Sequence, residues 1–341
     1  MSEQLHVVIV HFNPWRLKVR PRLCHETIAR LKGDGRINLV VVEVGFNGNP
    51  YEVSRPFSRH YLRLWTNDIT WNKEAAINAG FRHVAKHWPN AKYIAWIDGD
   101  VEFTRPDWAS AAITQLQHHP AVQLFSNAID LSPKNDFMGR AHGFAKLYLD
   151  GQRPGDFERN KNKYPTHMHP GYGWAFRRET WEAMSGAPTF AILGSGDHIM
   201  ACGMVGLAKE AIWPDHGVGY RAAIAAWGEV AYSTVRGDIG YVEGMVLHHF
   251  HGYKEHRQYK TRNQILGEHK FDPDTDLWYD HQGLPHLHYG KEALRADMRT
   301  YMLNRKEYDL QNALDQDYKS RPILHKIVDF LRGLINRLTH R

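Results

Sequence analysis

The sequence predicts an α/β protein built on a doubly wound, largely parallel sheet. Two observations carry that prediction. Short continuous apolar runs, which suit strands covered on both faces, alternate with helical stretches. Asn13, Glu43 and Asp98 fall at or near the carboxyl ends of three of those runs, where such sheets bind ligands.

Leu5 to Val10 reads as the first buried strand, stopped by Asn13-Pro14. A helix follows around Cys24 to Lys32 and ends at Gly33-Asp34-Gly35. Ile37 to Val44 is the second strand, closed by Gly45 and Asn47-Gly48. A helix over Asn72 to His87, the turn Trp88-Pro89-Asn90 and a strand over Tyr93 to Ile97 come next. Arg105-Pro106-Asp107 opens another helix, with proline near its first position. Ala121 to Phe125 is a further strand. Residues 131–170, rich in Gly, Pro, Asn, Lys and His, read as one long loop. Order resumes over Gly171 to Met184, and Gly194 to Gly203 is a turn leading into a helix. Val242 to Phe250 is a late strand broken by Gly244. Apolar residues from Ile323 to Leu338 share one helical face, with Lys326, Arg332 and Arg337 on the other, so 321–341 reads as a basic amphipathic helix. The expected organisation is one domain over 1–290, with a donor half at about 1–130 and an acceptor half at about 131–290, and a C-terminal helical extension over 291–341.

Composition narrows the class without choosing the chemistry. The 341 residues are enough for a sizeable core. Apolar residues at 43% and charged residues at 23% are ordinary for a globular chain. No run approaches the roughly 20 apolar residues of a membrane span. The first residues lack a basic, then apolar, signal pattern. Two distant cysteines, Cys24 and Cys202, point to a reducing cytoplasm. The net charge of +6 favours anionic partners such as nucleotides, nucleic acid or lipid headgroups.

The sharpest motif is Asp98-Gly99-Asp100 at the end of Tyr93-Ile94-Ala95-Trp96-Ile97. In an extended chain, side chains two apart share a face. Two carboxylates on one face suit a hard divalent cation, which often carries a diphosphate. The plain alternative is an Asp-Gly turn with two solvated carboxylates. Leu247-His248-His249-Phe250-His251-Gly252 adds three imidazoles near the end of a strand. If the strand stays extended, His249 and His251 share a face.

The stretch Trp71-Asn72-Lys73-Glu74-Ala75-Ala76-Ile77-Asn78-Ala79-Gly80-Phe81, followed by Asp98-Gly99-Asp100, resembles the nucleotide-sugar domain of β-1,4-galactosyltransferases. Pro170 to Glu179 is similar to their segment beneath the sugar, and Ile192 to Met200 to their Gly-rich acidic motif, which carries the catalytic base. The order also resembles glycosyltransferase-like proteins of bacteria and phages, which share an Asp-x-Asp and a late His-x-x-His-Gly. The resemblance spans roughly residues 5–265 and implies a metal-dependent transferase with the Rossmann-like GT-A fold. The galactosyltransferase motif has several consecutive carboxylates where this chain keeps only Asp197, so acceptor and stereochemistry do not carry over.

What the resemblance implies can be placed residue by residue. Asp98 and Asp100 would hold Mn²⁺ or Mg²⁺, which offsets charge on the leaving nucleoside diphosphate. The His-x-x-His-Gly spacing selects His248 and His251 as further ligands, and His251 satisfies both this spacing and the extended-strand argument. Lys73 would contact phosphate, as would Arg257 and Arg262 from the run that also holds Lys254 and Lys260. Asn13 and Glu43 would lie near the nucleotide, with Asn78 in the matched donor motif. Asp197 is the candidate general base, its rival role being a helix cap, with His198 as the alternative base. Tyr172, Trp174 and His198 are the candidate sugar contacts, with core packing the competing role for the two aromatics.

The expected activity is metal-dependent, inverting transfer of a hexose from a nucleoside diphosphate sugar, with UDP preferred, to a saccharide hydroxyl. Two rivals stay open. One is a phage-type transferase acting on hydroxymethylated DNA bases, whose binding would fall steeply with salt. The other is a non-catalytic sugar-nucleotide or glycan-binding module. The 321–341 helix either packs on the domain or lies on an anionic membrane surface.

Overall fold

The computed structural model describes residues 3–56, 58–156, 168–253 and 257–305. Strands β1 (Leu5–Phe12), β2 (Ile37–Phe46), β3 (Tyr61–Thr66) and β4 (Tyr93–Ile97) pair in parallel in the order β4-β1-β2-β3. The sequence LHVVIVHF alternates its faces within a run buried on both. Val8 joins the core formed with Val40, Val42 and helix α2 (Lys73–His87), whereas Val7 and Ile9 join Cys24 and Ile28 of helix α1 (Val19–Leu31). Helix α3 (Trp108–Leu116) covers this second face with Ala109 and Ile113. Strand β3 escapes the apolar-run criterion because it is an edge strand, reading Tyr-Leu-Arg-Leu-Trp-Thr with Trp65 exposed.

A second set of strands completes two sheets. After β5 (Val101–Phe103) and β6 (Ala121–Gln123), the described part of the stretch expected to be one long loop holds regular structure. It holds β7 (Asn127–Leu131), β8 (Phe137–Gly143), an antiparallel partner of β7, and helix α4 (Phe144–Leu149). Turn residues Ser132 to Asp136 close a hairpin there, since Ser132 accepts from the backbone N–H groups of Lys134 and Asp136. Strand β9 (Met168–His169) follows, and β10 (Gly173–Arg177) runs antiparallel between β4 and β6. Two further helices come next, α5 (Arg178–Ala183) and α6 (Gly196–Met204).

Gly244 does more than break one late strand. Its φ of 151° lets the chain leave β11 (Ile239–Tyr241), at the edge of the first sheet, and enter β12 (Met245–His248) in the second. The first sheet therefore runs β11-β6-β10-β4-β1-β2-β3 and the second β5-β12-β7-β8-β9. Strand β12 lies between β5, which follows Asp100, and β7, and this placement builds the site described below.

The last described segment is tied to the loop that follows β3. Helix α7 (Val218–Val235) packs on α6. Helices α8 (Tyr259–Glu268) and α9 (Pro273–Asp276), the hairpin β13 (Leu277–Tyr279) and β14 (Pro285–Leu287), and helix α10 (Glu292–Asn304) follow. Arg295 of α10 donates to both oxygens of buried Asp68, at 3.1 and 3.3 Å. Among the described residues, no helix is long and apolar enough to cross a membrane. The 321–341 helix lies outside the described residues.

Candidate active site

The chain turns at Asp98-Gly99-Asp100 instead of staying extended, so the two carboxylates part. Asp98 pairs with Lys73 Nζ at 2.5 Å. Asp100 faces the imidazoles: its Oδ2 lies 3.2 Å from His251 Nε2 and 3.9 Å from His248 Nε2. The two Nε2 atoms are 3.3 Å apart, and one ligand atom from each of the three residues falls within 4.8 Å of the others. Asp100 Oδ1 is shielded from solvent and has no hydrogen-bond partner, a costly state that a bound cation would relieve. Burial raises the Asp100 carboxyl above its ordinary range, His248 opposing and Asp98 adding to it. An oxygen and two imidazole nitrogens in this arrangement fit a divalent cation. The shared face for both carboxylates is thus corrected to one, with Asp98 in an ion pair.

The histidine motif resolves in the same way. Strand β12 ends at His248, and the chain then bends, so His251 returns beside His248. His249 points elsewhere and meets Glu102 at 3.1 Å. Arg257 Nη2 lies 3.0 Å from His251 Nε2, placing a guanidinium at the edge of the cluster. Arg262 of α8 lies against the turn at Gly194, where a Cβ would sit 3.0 Å from its Nη1.

A second group lies beside the first. Gly194 and Ser195 adopt φ values of 92° and 76°, and the turn delivers Asp197 in the first turn of α6. Asp197 Oδ1 accepts from the His198 N–H at 2.8 Å. A Cβ on Gly171 would stand 2.6 Å from Asp197 Oδ2, and one on Gly196 would overlap the Glu74 carboxyl. Lys73, Glu74, Trp96, Gly196 and Asp197 line one small cleft. Burial works against the Lys73 charge, yet Asp98, Asp197 and Glu74 together raise its pKa. Burial pushes the Glu74 carboxyl up to about 8, Lys73 opposing and Asp197 reinforcing. Motif reading passed over Glu74; its place within the matched Asn72-to-Phe81 stretch was the available signal.

At the ends of β1 and β2 the predicted nucleotide residues hold the protein's own backbone. Glu43 accepts from the N–H groups of Glu52, Val53 (3.1 Å) and Ser54 (2.7 Å). Asn13 bonds both N–H and C=O of Leu17 and donates to Glu52 Oε2 at 2.8 Å. His11 Nε2 reaches the same Glu52 oxygen at 3.3 Å. These bonds explain the gathering of His11, Glu43 and Glu52 as the anchoring of a loop. Glu52 thereby comes to the strand ends from a loop that carried no motif.

Four residues expected at the ligand make contacts within the protein itself. Asn78 is spent on Ala187, accepting from its N–H at 2.9 Å and donating to its C=O at 3.1 Å. Trp174 is 0% exposed in the middle of the sheet, its Nε1 donating to Pro170 O, so it offers no face to a sugar. Tyr172 is buried, with its ring between His169 and His248 (centroids at 4.0 and 4.8 Å) and its hydroxyl donating to Asp130 Oδ1 at 3.0 Å. His198 lies 3.4 Å from the Glu210 carbonyl and 3.8 Å from the Cys202 thiol.

Residues 21–183 match the model of glycosyl transferase family 2. No curated protein matches the chain. Its α/β architecture has distant likenesses among solved structures. The catalytic domain of Drosophila β1,4-galactosyltransferase 7, in complex with xylobiose, is 14% identical with a TM-score of 0.26, over 55% of this chain and 53% of that one. The chain thus spans about half the length of that structure. Glucosyl-3-phosphoglycerate synthase from Mycobacterium tuberculosis, in complex with Mn²⁺, UDP-glucose and phosphoglyceric acid, is 10% identical with a TM-score of 0.36, over 84% of this chain and 87% of that one. Mannose-1-phosphate geranyltransferase from Thermus thermophilus is 13% identical with a TM-score of 0.32, over 73% and 74%.

Proposed function

We propose that this protein is a glycosyltransferase that moves a hexose from a UDP-sugar to a saccharide hydroxyl with inversion, using a divalent cation held by Asp100, His248 and His251. The observation that carries the reading is the pairing of two groups at the carboxyl ends of the sheet. The Asp100–His248–His251 cluster and the Asp98–Lys73–Asp197 group are joined through the Asp98-Gly99-Asp100 turn. The bound cation would offset negative charge on the departing diphosphate. Lys73 and Arg257 bring fixed positive charge to the same place, and a guanidinium suits planar contacts to phosphate. Asp197 Oδ2 takes the proton of the acceptor hydroxyl as that oxygen attacks the anomeric carbon. Glu74, holding its own proton at neutral pH, adds no second negative charge beside the base.

Release of UDP from a panel of UDP-hexoses with Mn²⁺ tests the reading. Wild type should act on one donor in a metal-dependent manner, and Asp100→Ala should abolish it. Asp197→Asn should lower transfer by about 10²- to 10⁴-fold while donor binding persists. Absence of both binding and release for every donor in the presence of metal would sink the proposal. A saccharide acceptor predicts rates that change little with salt, whereas a DNA acceptor predicts a steep fall.

A further inference from the structure

Asp130 belongs to no motif, yet it is 3% exposed and its Oδ1 accepts two hydrogen bonds. One comes from the Tyr172 hydroxyl at 3.0 Å and the other from His248 Nδ1 at 2.9 Å. Opposite an ionised Asp130, which only accepts, His248 would carry the hydrogen of this second bond on Nδ1. The remaining ring nitrogen, Nε2, is the atom that faces Asp100 and His251. The parallel pairing of β7 and β12 sets Asp130 opposite His248 in register. Tyr172 restrains the imidazole further, stacked on it at 4.8 Å and 29° while bonded to the same carboxylate.

We propose that Asp130 is a positioning residue that holds His248 as the Nδ1–H tautomer, with its Nε2 lone pair directed at the cation shared with Asp100 and His251. The proposal rests on the metal reading given above. Metal-binding histidines commonly donate their second ring N–H to a carboxylate, which fixes the ring and raises its basicity. Asp130 meets that requirement from a different strand, and Tyr172 fixes Asp130 in turn.

The test is Mn²⁺ affinity of the full chain without any sugar donor, read from the electron paramagnetic resonance of free Mn²⁺. A second readout is the ¹⁵N shifts of His248, assigned by its loss in His248→Gln. Asp130→Asn keeps the shape and removes the charge, and it should weaken Mn²⁺ binding by about 10- to 100-fold. The metal-free wild type should show His248 protonated on Nδ1, whatever becomes of the variant's folding. Mn²⁺ binding by Asp130→Asn within about twofold of wild type would overturn the role of Asp130, since the expected loss is far larger. An Nε2–H tautomer in the wild type would overturn it as well. Failure of the wild type itself to bind Mn²⁺ would instead overturn the metal reading on which the proposal stands.

Discussion

Glu74 shows how much of a residue's chemistry depends on where the chain puts it. On a solvated helix it would be an ordinary carboxylate. In the first turn of α2, closed in by Gly196 and facing Asp197, it keeps its proton up to about pH 8. Its folded-state pKa lies above the ordinary value of 4.5, so the folded chain binds a proton that the unfolded chain releases. The stability this contributes is full below about pH 4.5 and is lost as pH rises through about 8. Thermal melts of wild type should therefore decline from pH 5 to pH 9 more than those of Glu74→Gln, by at most a few kcal/mol. Parallel curves would show that Glu74 ionises normally. Glu74 was legible as part of a motif but not as a neutral acid, because burial is a property of contacts between distant segments.

The glycines of α2 and α6 set how closely elements approach. A Cβ on Gly80 would stand 2.8 Å from Val8 and 2.9 Å from Val42, so α2 lies directly on β1 and β2. Gly80→Ala should cost about 1–3 kcal/mol through overpacking, read as a lower Tm, with the Mn²⁺ affinity of the folded protein unchanged. Gly196→Ala instead meets the Glu74 carboxyl and displaces the turn carrying Asp197, so transfer should fall along with Tm. Equal effects of the two substitutions on transfer would mean that the α6 turn does not position Asp197. Most element boundaries were visible because buried runs, proline starts and glycine stops act locally. The β7–β8 hairpin was not, since Phe137, Met138 and Arg140 are solvent-facing or partly so and show no apolar run.

Over the whole molecule, residues 98–103, 127–131 and 245–251 meet only because the second sheet pairs β5, β12 and β7. The C-terminal segment is part of the same assembly. Arg295 and the N–H of Leu287 satisfy buried Asp68, and Leu294, Met298, Tyr301 and Met302 lie in the core. Ending the chain at residue 290 should strip Asp68 of its cationic partner and expose apolar core. Asp68 is buried while Arg295 is partly exposed, so the loss of this pair adds to the cost of the exposed core. The truncated chain should melt well below the full one; an unchanged melt would show that α10 is dispensable to the fold.

The sequence by itself determined the alternating elements of the sheet, the acidic turn after β4 and the His-x-x-His-Gly spacing, because each depends on neighbours a few residues away. The tertiary structure decided which of those residues meet. It sent Asp98 to Lys73 and Asp100 to the histidines, turned His249 aside, and buried Trp174 in the sheet. It also recruited Asp130 from a stretch with no motif. Strand register and the bend after β12 are set by packing across long sequence separations, and local pattern carries no record of them.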